Sequence, residues 1–392
     1  MERIAVVSVA LGVAVMILAL AVILGFKREV AAKMTGFAGH VAVTDVRGVG
    51  TLDAEPVVRS AHVEELIRTT EGFRAMAPYA LRGGIVRTAD AVEGIVLKGV
   101  DGSFDWRFFR EWLTEGELPR VGDSVRTKDA LLSRTLADRL RLGVGDRVEM
   151  LFVEPGELPR RDRFKVSGIY ASGLEDMDGA VVLTDLRNVQ RLAEWTPEKV
   201  SGYEILLDDL AGADAFAARL SDVLLYDESD DTRNLVATSV MERYPNIFDW
   251  LRAHDVNGAV IVVIMLVVAF FNMASALMIL VLERTRMIGL LKAMGMENRR
   301  IRRIFLYRAA FIVGRGLLWG NLAAGLLCWL QARFHLLRLD PAGYMLSEVP
   351  VAVSAGWWLA VDVAAAGAIL ALLLVPAAFV ARIRPDEAIK TD

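Results

Sequence analysis

The sequence predicts a membrane protein with four transmembrane α-helices and a large α+β extracytoplasmic domain between the first and second. Two observations carry this reading. Hydrophobic residues make up 54% of the chain while 24% are charged, and the mean hydropathy is still +0.40. Charged and apolar residues must therefore be segregated along the chain. In addition, four apolar stretches reach the roughly 20 residues that a helix needs to cross a bilayer.

These stretches are 4–26, 256–282, 309–332 and 349–381. The first two carry no charge, the third only Arg315 and the fourth only Asp362. The first is too long for the apolar region of a cleaved signal. Only Glu2 and Arg3 precede it as charges, and no small-x-small site follows before Lys27-Arg28-Glu29.

Charge sets the orientation. Residues 283–308 hold eight basic and two acidic residues, and the tail 382–392 adds Arg382, Arg384 and Lys390. The short loop 333–348 is balanced, with Arg333 and Arg338 against Asp340 and Glu348. The positive-inside rule places 283–308 and the tail in the cytoplasm, and 27–255 outside. That insert holds 30 basic and 40 acidic residues, but long domains translocate largely regardless of charge. Trp357 and Trp358 fit an interfacial aromatic belt.

The insert reads as α+β in two lobes, without an internal repeat. Val41, Val43 and Val46 mark a strand near His40, and Ile95-Val96-Leu97 marks another. Asp129–Leu140 predicts a helix capped by Asp129, with Leu132, Leu136 and Leu140 on one face and Gly143 and Gly145 closing it. Val148–Val153 and Phe164–Tyr170 predict paired strands around an exposed hairpin tract at 154–163. Gly179–Thr184 and Tyr203–Leu207 read as strands. Asp185–Trp195 and 211–224 read as helices.

Several chemistries find no support. The chain has no GxxxxGK[ST] loop, indeed no Gly-Lys dipeptide, so it has no P-loop of its own for ATP. There is no GxSxG elbow. Cys328 is the single cysteine, and His40, His62, His254 and His335 form no HExxH pair, so no metal site is expected. The acidic pairs Glu64-Glu65, Asp208-Asp209 and Asp230-Asp231 read as solvated turns, with no nucleophile nearby. A net charge of −4 gives no sign of nucleic-acid binding. The chain does not read as an enzyme.

The informative segment is cytoplasmic. In Glu283-Arg284-Thr285-Arg286-Met287-Ile288-Gly289-Leu290-Leu291-Lys292-Ala293-Met294-Gly295, Met287, Leu290, Leu291 and Met294 fall at i, i+3, i+4 and i+7. They make one apolar face on a short helix, and Gly295 suits the turn that ends it. Arg299, Arg300, Arg302 and Arg303 then form the basic face of a second amphipathic helix leading into the third span. An interfacial helix explains the second element. The first is too short to anchor alone and reads better as a knob that docks on another protein.

That pattern resembles the coupling loop of FtsX/MacB-type ABC permeases. Gly25-Phe26-Lys27-Arg28-Glu29, Met34-Thr35-Gly36-Phe37-Ala38-Gly39-His40, Leu339-Asp340-Pro341 with Tyr344, Val349-Pro350-Val351 and Arg384-Pro385-Asp386-Glu387-Ala388 are similar to the lipoprotein-releasing branch. The likeness runs over essentially the whole chain. It implies a basic segment ahead of the first span, where this chain has only Met1-Glu2-Arg3, so a truncated or misassigned start is one expectation.

The resemblance further implies a bacterial inner-membrane dimer, homo- or heteromeric, with two copies of a separate ATPase. ATP and Mg would be bound by that ATPase and no cofactor by this chain. Residues 287–295, with Glu283 and Arg284 before them, would dock in the ATPase. Closure would be relayed mechanically to the external domain. A lipoprotein would enter from the outer leaflet through a cleft lined by Leu18, Val22 and Ile23 of the first span and Val260, Ile261, Ile264 and Met265 of the second. Gly12 permits close helix approach there, and the methionines of the second span suit acyl chains of varied shape. A periplasmic carrier would dock on the short tract 154–163, through Pro155, Leu158 and Pro159 with Arg160, Arg161 and Arg163. Division-type signalling to a wall hydrolase and MacB-like export of small hydrophobic molecules or peptides are the alternatives.

Overall fold

A computed structural model describes residues 2–49, 55–88, 91–122, 125–152, 159–284, 287, 290–291, 294–339, 346 and 348–372. The chain folds as two units. One comprises Met1–Glu29, Asp249–Arg338 and Glu348–Asp392, the other Val30–Phe248 and Leu339–Ser347.

In the first unit, helix α1 spans Glu2–Ala38. It does not stop at Phe26: Lys27-Arg28-Glu29 continue the helix, because nothing there breaks the backbone ladder. Its last residues, from Val30, belong to the second unit.

The second unit is built on strands. These are β1 (Val41–Asp45), β2 (Val57–Val58), β3 (Phe73–Arg87), β4 (Val92–Val100), β5 (Leu113–Gly116) and β6 (Asp129–Ser133). They are followed by β7 (Arg147–Phe152), β8 (Arg160–Tyr170), β9 (Val181–Asp185), β10 (Lys199–Val200), β11 (Gly202–Leu207) and β12 (Leu235–Ser239). Between them lie α2 (Ala61–Thr69), α3 (Arg107–Glu111), α4 (Arg134–Leu140), α5 (Glu175–Asp178), α6 (Leu186–Leu192), α7 (Ala213–Tyr226) and α8 (Val240–Arg243). Among the described residues one mixed ten-stranded sheet runs β12-β1-β11-β3-β4-β9-β6-β8-β5, with β7 against β3 and β8. The two lobes expected from the sequence share this sheet, because the 15-residue β3 pairs with β11 at one end and with β4 and β7 at the other. Val41, Leu97, Leu132, Val166, Val189 and Phe216 belong to one buried core.

The helix expected over Asp129–Leu140 is instead strand β6 followed by α4. Ala130, Leu131 and Leu132 are each fully buried between β8 and β9. A run apolar on both faces suits a covered strand as well as a helix, and the i, i+4 leucines were a coincidence of spacing. The cap is Ser133, whose hydroxyl accepts from the Leu136 N–H at 3.0 Å. Ser239 and Glu242 form a reciprocal capping box on α8.

Three further helices follow the domain. Helix α9 covers Pro245–Glu283, starting before the expected Val256, with proline at a first-turn position where its missing N–H costs nothing. Helices α10 (Asn298–Phe334) and α11 (Ala355–Leu372) follow. Segments within α1, α9 and α10 are long and apolar enough to cross a membrane, and α11 is a shorter apolar helix within the stretch 349–381. The end of that stretch and the tail 382–392 lie outside the described residues.

The C-terminal end of α1 is seated in the second unit by cations. The Lys98 ammonium, 4% exposed at its side chain, donates to the Phe37 carbonyl and to both oxygens of Glu204 at 2.7 Å. Arg243 donates to the Ala38 carbonyl at 3.3 Å. Lys33 donates to the Ser172 carbonyl and lies 4.5 Å from the Trp112 ring. Phe37 meets Phe108, Phe109 and Tyr170 edge-on or tilted. Gly36 is packed so closely on the Phe108 ring that a Cβ would overlap it, and Gly39 ends the helix at φ +68°. His40 then accepts the Leu207 N–H at Nδ1, 3.3 Å. The Gly36–His40 motif is thus a joint between a spanning helix and a folded domain.

Burial pushes the Lys98 ammonium below the ordinary lysine range, against the opposing pull of Glu204. Replacing Lys98 by Met leaves Glu204 buried without its partner and should cost about 3–5 kcal/mol. Lys98→Met/Glu204→Leu should recover most of that loss, read as the melting of the purified full chain.

Burial and the nearby Arg74 hold His40 below the usual histidine value of 6.5, with Asp209 opposing. The unfolded chain therefore takes up this proton first as pH falls. The contribution is complete above about pH 6.5 and is lost below it, by at most ~1.4 kcal/mol per pH unit. Between pH 7 and 5 wild type should lose more melting temperature than His40→Gln.

Candidate functional site

Of the coupling segment, Met287, Leu290 and Leu291 are described as helical, and residues 294–297 lead into α10. Gly295 has φ +86°. The Met296 N–H donates to the Leu291 carbonyl at 3.0 Å, and the Met294 N–H to the Leu290 carbonyl at 3.0 Å. This six-to-one bond with a glycine at positive φ is the Schellman way of ending a helix. Leu291 and Met296 both pack on the buried core of the membrane unit. That apolar pair fixes the turn.

The four-residue face read from the sequence therefore divides. Leu291 points inward, because it anchors the turn. Met287, Leu290 and Met294 are 43%, 58% and 73% exposed. They form an apolar knob that no described residue of the chain covers. Arg284 is also exposed. The side chain of Glu283 lies outside the described residues. Beyond the turn Ile301 is buried while Arg299, Arg300 and Arg303, three residues of the expected basic face, are exposed; the side chain of Arg302 lies outside the described residues. Among the described residues this surface is apolar with a basic flank, and it carries no nucleophile or acid–base pair.

The expected cleft residues lie on α1 and α9, and within one chain these helices touch. A Cβ on Gly258 would come within 2.8 Å of Ile23 Cδ1, and one on Gly12 within 3.7 Å of Ala269. Small residues set this approach. Leu18 and Met265 pack against the buried core of the unit, and Val22 is half-buried. Val260, Ile261 and Ile264 face away from that core and are exposed, in one stripe with Val256, Val263 and Val267. The structure thus brings Leu18, Ile23 and Met265 toward the helix pair and leaves the other α9 residues on an open apolar face.

In the tract 154–163, Pro155 and Leu158 lie outside the described residues, and Pro159 is exposed. Arg160, Arg161 and Arg163 are not loop residues: they belong to β8 and pair in register with Phe152, Leu151 and Glu149 of β7. The strand extends further than expected because alternating charged residues tolerate a solvent-facing edge of a ladder. Arg160 bonds Glu194 at 2.8 Å, and Arg161 and Arg163 lie 3.7 and 3.3 Å from Glu149. Their charges are engaged within the domain rather than presented on a loop tip.

One site was missed. Asn321 on α10 donates to Asp362 Oδ1 on α11 at 3.0 Å and to the Leu317 carbonyl at 2.8 Å, while the Trp358 indole N–H donates to Asn321. The signal was available, since Asn321 and Asp362 are isolated polar residues in apolar runs, and intramembrane polar groups need partners.

Comparison with known proteins gives a consistent picture. The MacB-like periplasmic core domain family matches residues 4–223, and the FtsX-like permease C-terminal family matches residues 259–387. A Xylella fastidiosa protein named lipoprotein-releasing system transmembrane protein LolC is 23% identical, over 98% of this chain and 92% of its own. The LolC protein of Neisseria meningitidis is 23% identical over 99% of this chain and 93% of its own. A Haemophilus influenzae LolE protein is 21% identical over 77% of this chain and 71% of its own.

Proposed function

We propose a function from a fixed point, that this chain belongs to the family of permeases with a MacB-like periplasmic core domain and an FtsX-like permease C-terminal region. It acts as the LolC/LolE-type permease subunit of an ABC transporter that releases lipoproteins. The likeness to LolC over nearly the full length of both chains supports the substrate class. The exposed apolar knob Met287–Leu290–Met294 is the observation that carries the coupling role.

In this reading 349–381 supplies a fourth span and the chain sits in the bacterial inner membrane. It pairs with a second permease subunit, identical or not. Two copies of a separate ATPase bind on the cytoplasmic side and hold the ATP and Mg. The knob enters a groove on the ATPase, while Leu291 and the Gly295 turn tie it to the membrane helices. A movement imposed on the knob is carried by α9, helical from Pro245 to Glu283, and by α1, helical from Glu2 to Ala38. Neither helix has a break at which the motion would be lost. The substrate's acyl chains leave the outer leaflet along the open face of α9, at Val260, Ile261 and Ile264, opposite Leu18, Val22, Ile23 and Met265. Lipid is as apolar as that face, so shape and polar contacts to the lipid-modified cysteine must supply the preference. A periplasmic carrier receives the product near Pro155, Leu158 and Pro159.

The knob and its anchor should separate by mutation. Leu290→Asp or Met294→Asp places a charge in an apolar socket at a cost of about 3 kcal/mol or more, over a hundredfold in affinity. Either should abolish co-purification of the ATPase at unchanged permease yield. Leu291→Asp should instead lower the yield of folded permease.

The substrate reading is tested by photo-crosslinkers at Ile23 and Ile264 in cells. Lipoproteins should be captured at both. An assembled, ATP-hydrolysing complex that never captures a lipoprotein at either position would overturn it, in favour of division-type signalling or small-molecule export.

A further inference from the structure

We propose that Arg315, together with Arg3, holds the phosphate of an anionic phospholipid from the cytoplasmic leaflet. The proposal rests on the reading above only for topology, which puts the N-terminal ends of α1 and α10 on the cytoplasmic side.

Arg315 is the single charge in the stretch 309–332. A charged residue inside a span is costly unless it finds a partner or water. Asp362 shows how this chain meets that demand elsewhere, through Asn321. Arg315 is treated differently. Its guanidinium lies 4.6 Å from the Phe311 ring, and it is exposed. Among the described residues no carboxylate lies within salt-bridge distance of it.

The surroundings give the guanidinium a ligand-sized space. A groove of about 560 Å³ runs between α1 and α10, lined by Arg3, Val7, Phe311, Arg315 and Trp319 among others. The two arginines face one opening, and no acidic residue lines it. Apolar side chains make the rest.

Depth identifies the occupant. Gly316 packs on Val9 of α1. At 1.5 Å per residue, Arg315 therefore lies roughly 9 Å along α1 from Arg3. That is one headgroup layer inside the start of the apolar run at Ile4. The long arginine side chain reaches back from that depth toward Arg3 and the headgroup layer, where the abundant anion is the lipid phosphate. Guanidinium binds phosphate through paired N–H donors, and basic pockets between spans on the cytoplasmic side suit anionic headgroups. Phe311, Trp319 and Val7 then contact the acyl chains. Two like charges facing one space favour a headgroup of net negative charge over a zwitterionic one.

The test is native mass spectrometry of the purified full chain, titrated with phosphatidylglycerol or phosphatidylcholine in detergent. Wild type should retain one phosphatidylglycerol more tightly than phosphatidylcholine. Arg315→Gln should weaken that adduct about tenfold, as expected for losing one charge-assisted pair. Arg3→Gln should weaken it less, and Arg315→Lys should restore part of it, because lysine keeps the charge without the fork. Millimolar inorganic phosphate should not displace the lipid. Equal retention by wild type and both Gln variants would overturn the proposal, as would equal retention of the two lipids or displacement by free phosphate. So would a crosslinker at Trp319 that captures a second permease chain in place of lipid.

Discussion

The ammonium of Lys98 at the end of helix α1 is the contact on which the rest of the structure turns. A helix leaving a membrane must either fray into water or be received by something fixed. Here its last carbonyls, at Phe37 and Ala38, are received by Lys98 and Arg243. The negative end of a helix dipole attracts cations, most strongly where water is excluded. Glu204 makes the arrangement tolerable, because a lone buried ammonium would shed its proton. The result ties a long apolar helix to the middle of a ten-stranded sheet: Lys98 is on β4 and Glu204 on β11, on either side of β3. In the relay proposed above, a compliant helix end would absorb the movement.

The same logic governs the turn at Gly295. In the coupling role proposed above, the knob must be exposed to bind and yet fixed to transmit force. The turn resolves the conflict by dividing neighbouring leucines between the two tasks. Leu291 and Met296 clamp the turn onto the membrane helices, and Leu290 and Met294 remain outside. Gly295 makes the division possible, because its φ of +86° is costly for any residue with a Cβ.

Polar residues within the spans divide in a similar way. Asn321, Asp362 and Trp358 satisfy one another and fix α10 against α11. Arg315 has an aromatic ring and an open groove. In hydrocarbon the first arrangement is structural glue, while the second leaves capacity for a ligand.

The sequence by itself determined the membrane character, the position of the large domain between the first two apolar stretches, and the apolar periodicity of the coupling segment. These are properties of composition and local period, and the bilayer reads them directly. It also marked the Gly36–His40 segment as distinctive without showing why. Only the tertiary structure decided that Gly36 must clear the Phe108 ring and that Lys98 reaches back to Phe37. Those contacts join residues about 60 to 70 positions apart, and no local pattern encodes them. The exchange of a helix for strand β6 at Asp129–Ser133 has the same origin. An apolar run fits either element, and its neighbours β8 and β9 selected the strand. The inward turn of Leu291 likewise depended on a core assembled from distant helices, which is why a four-residue face in sequence became a three-residue knob in space.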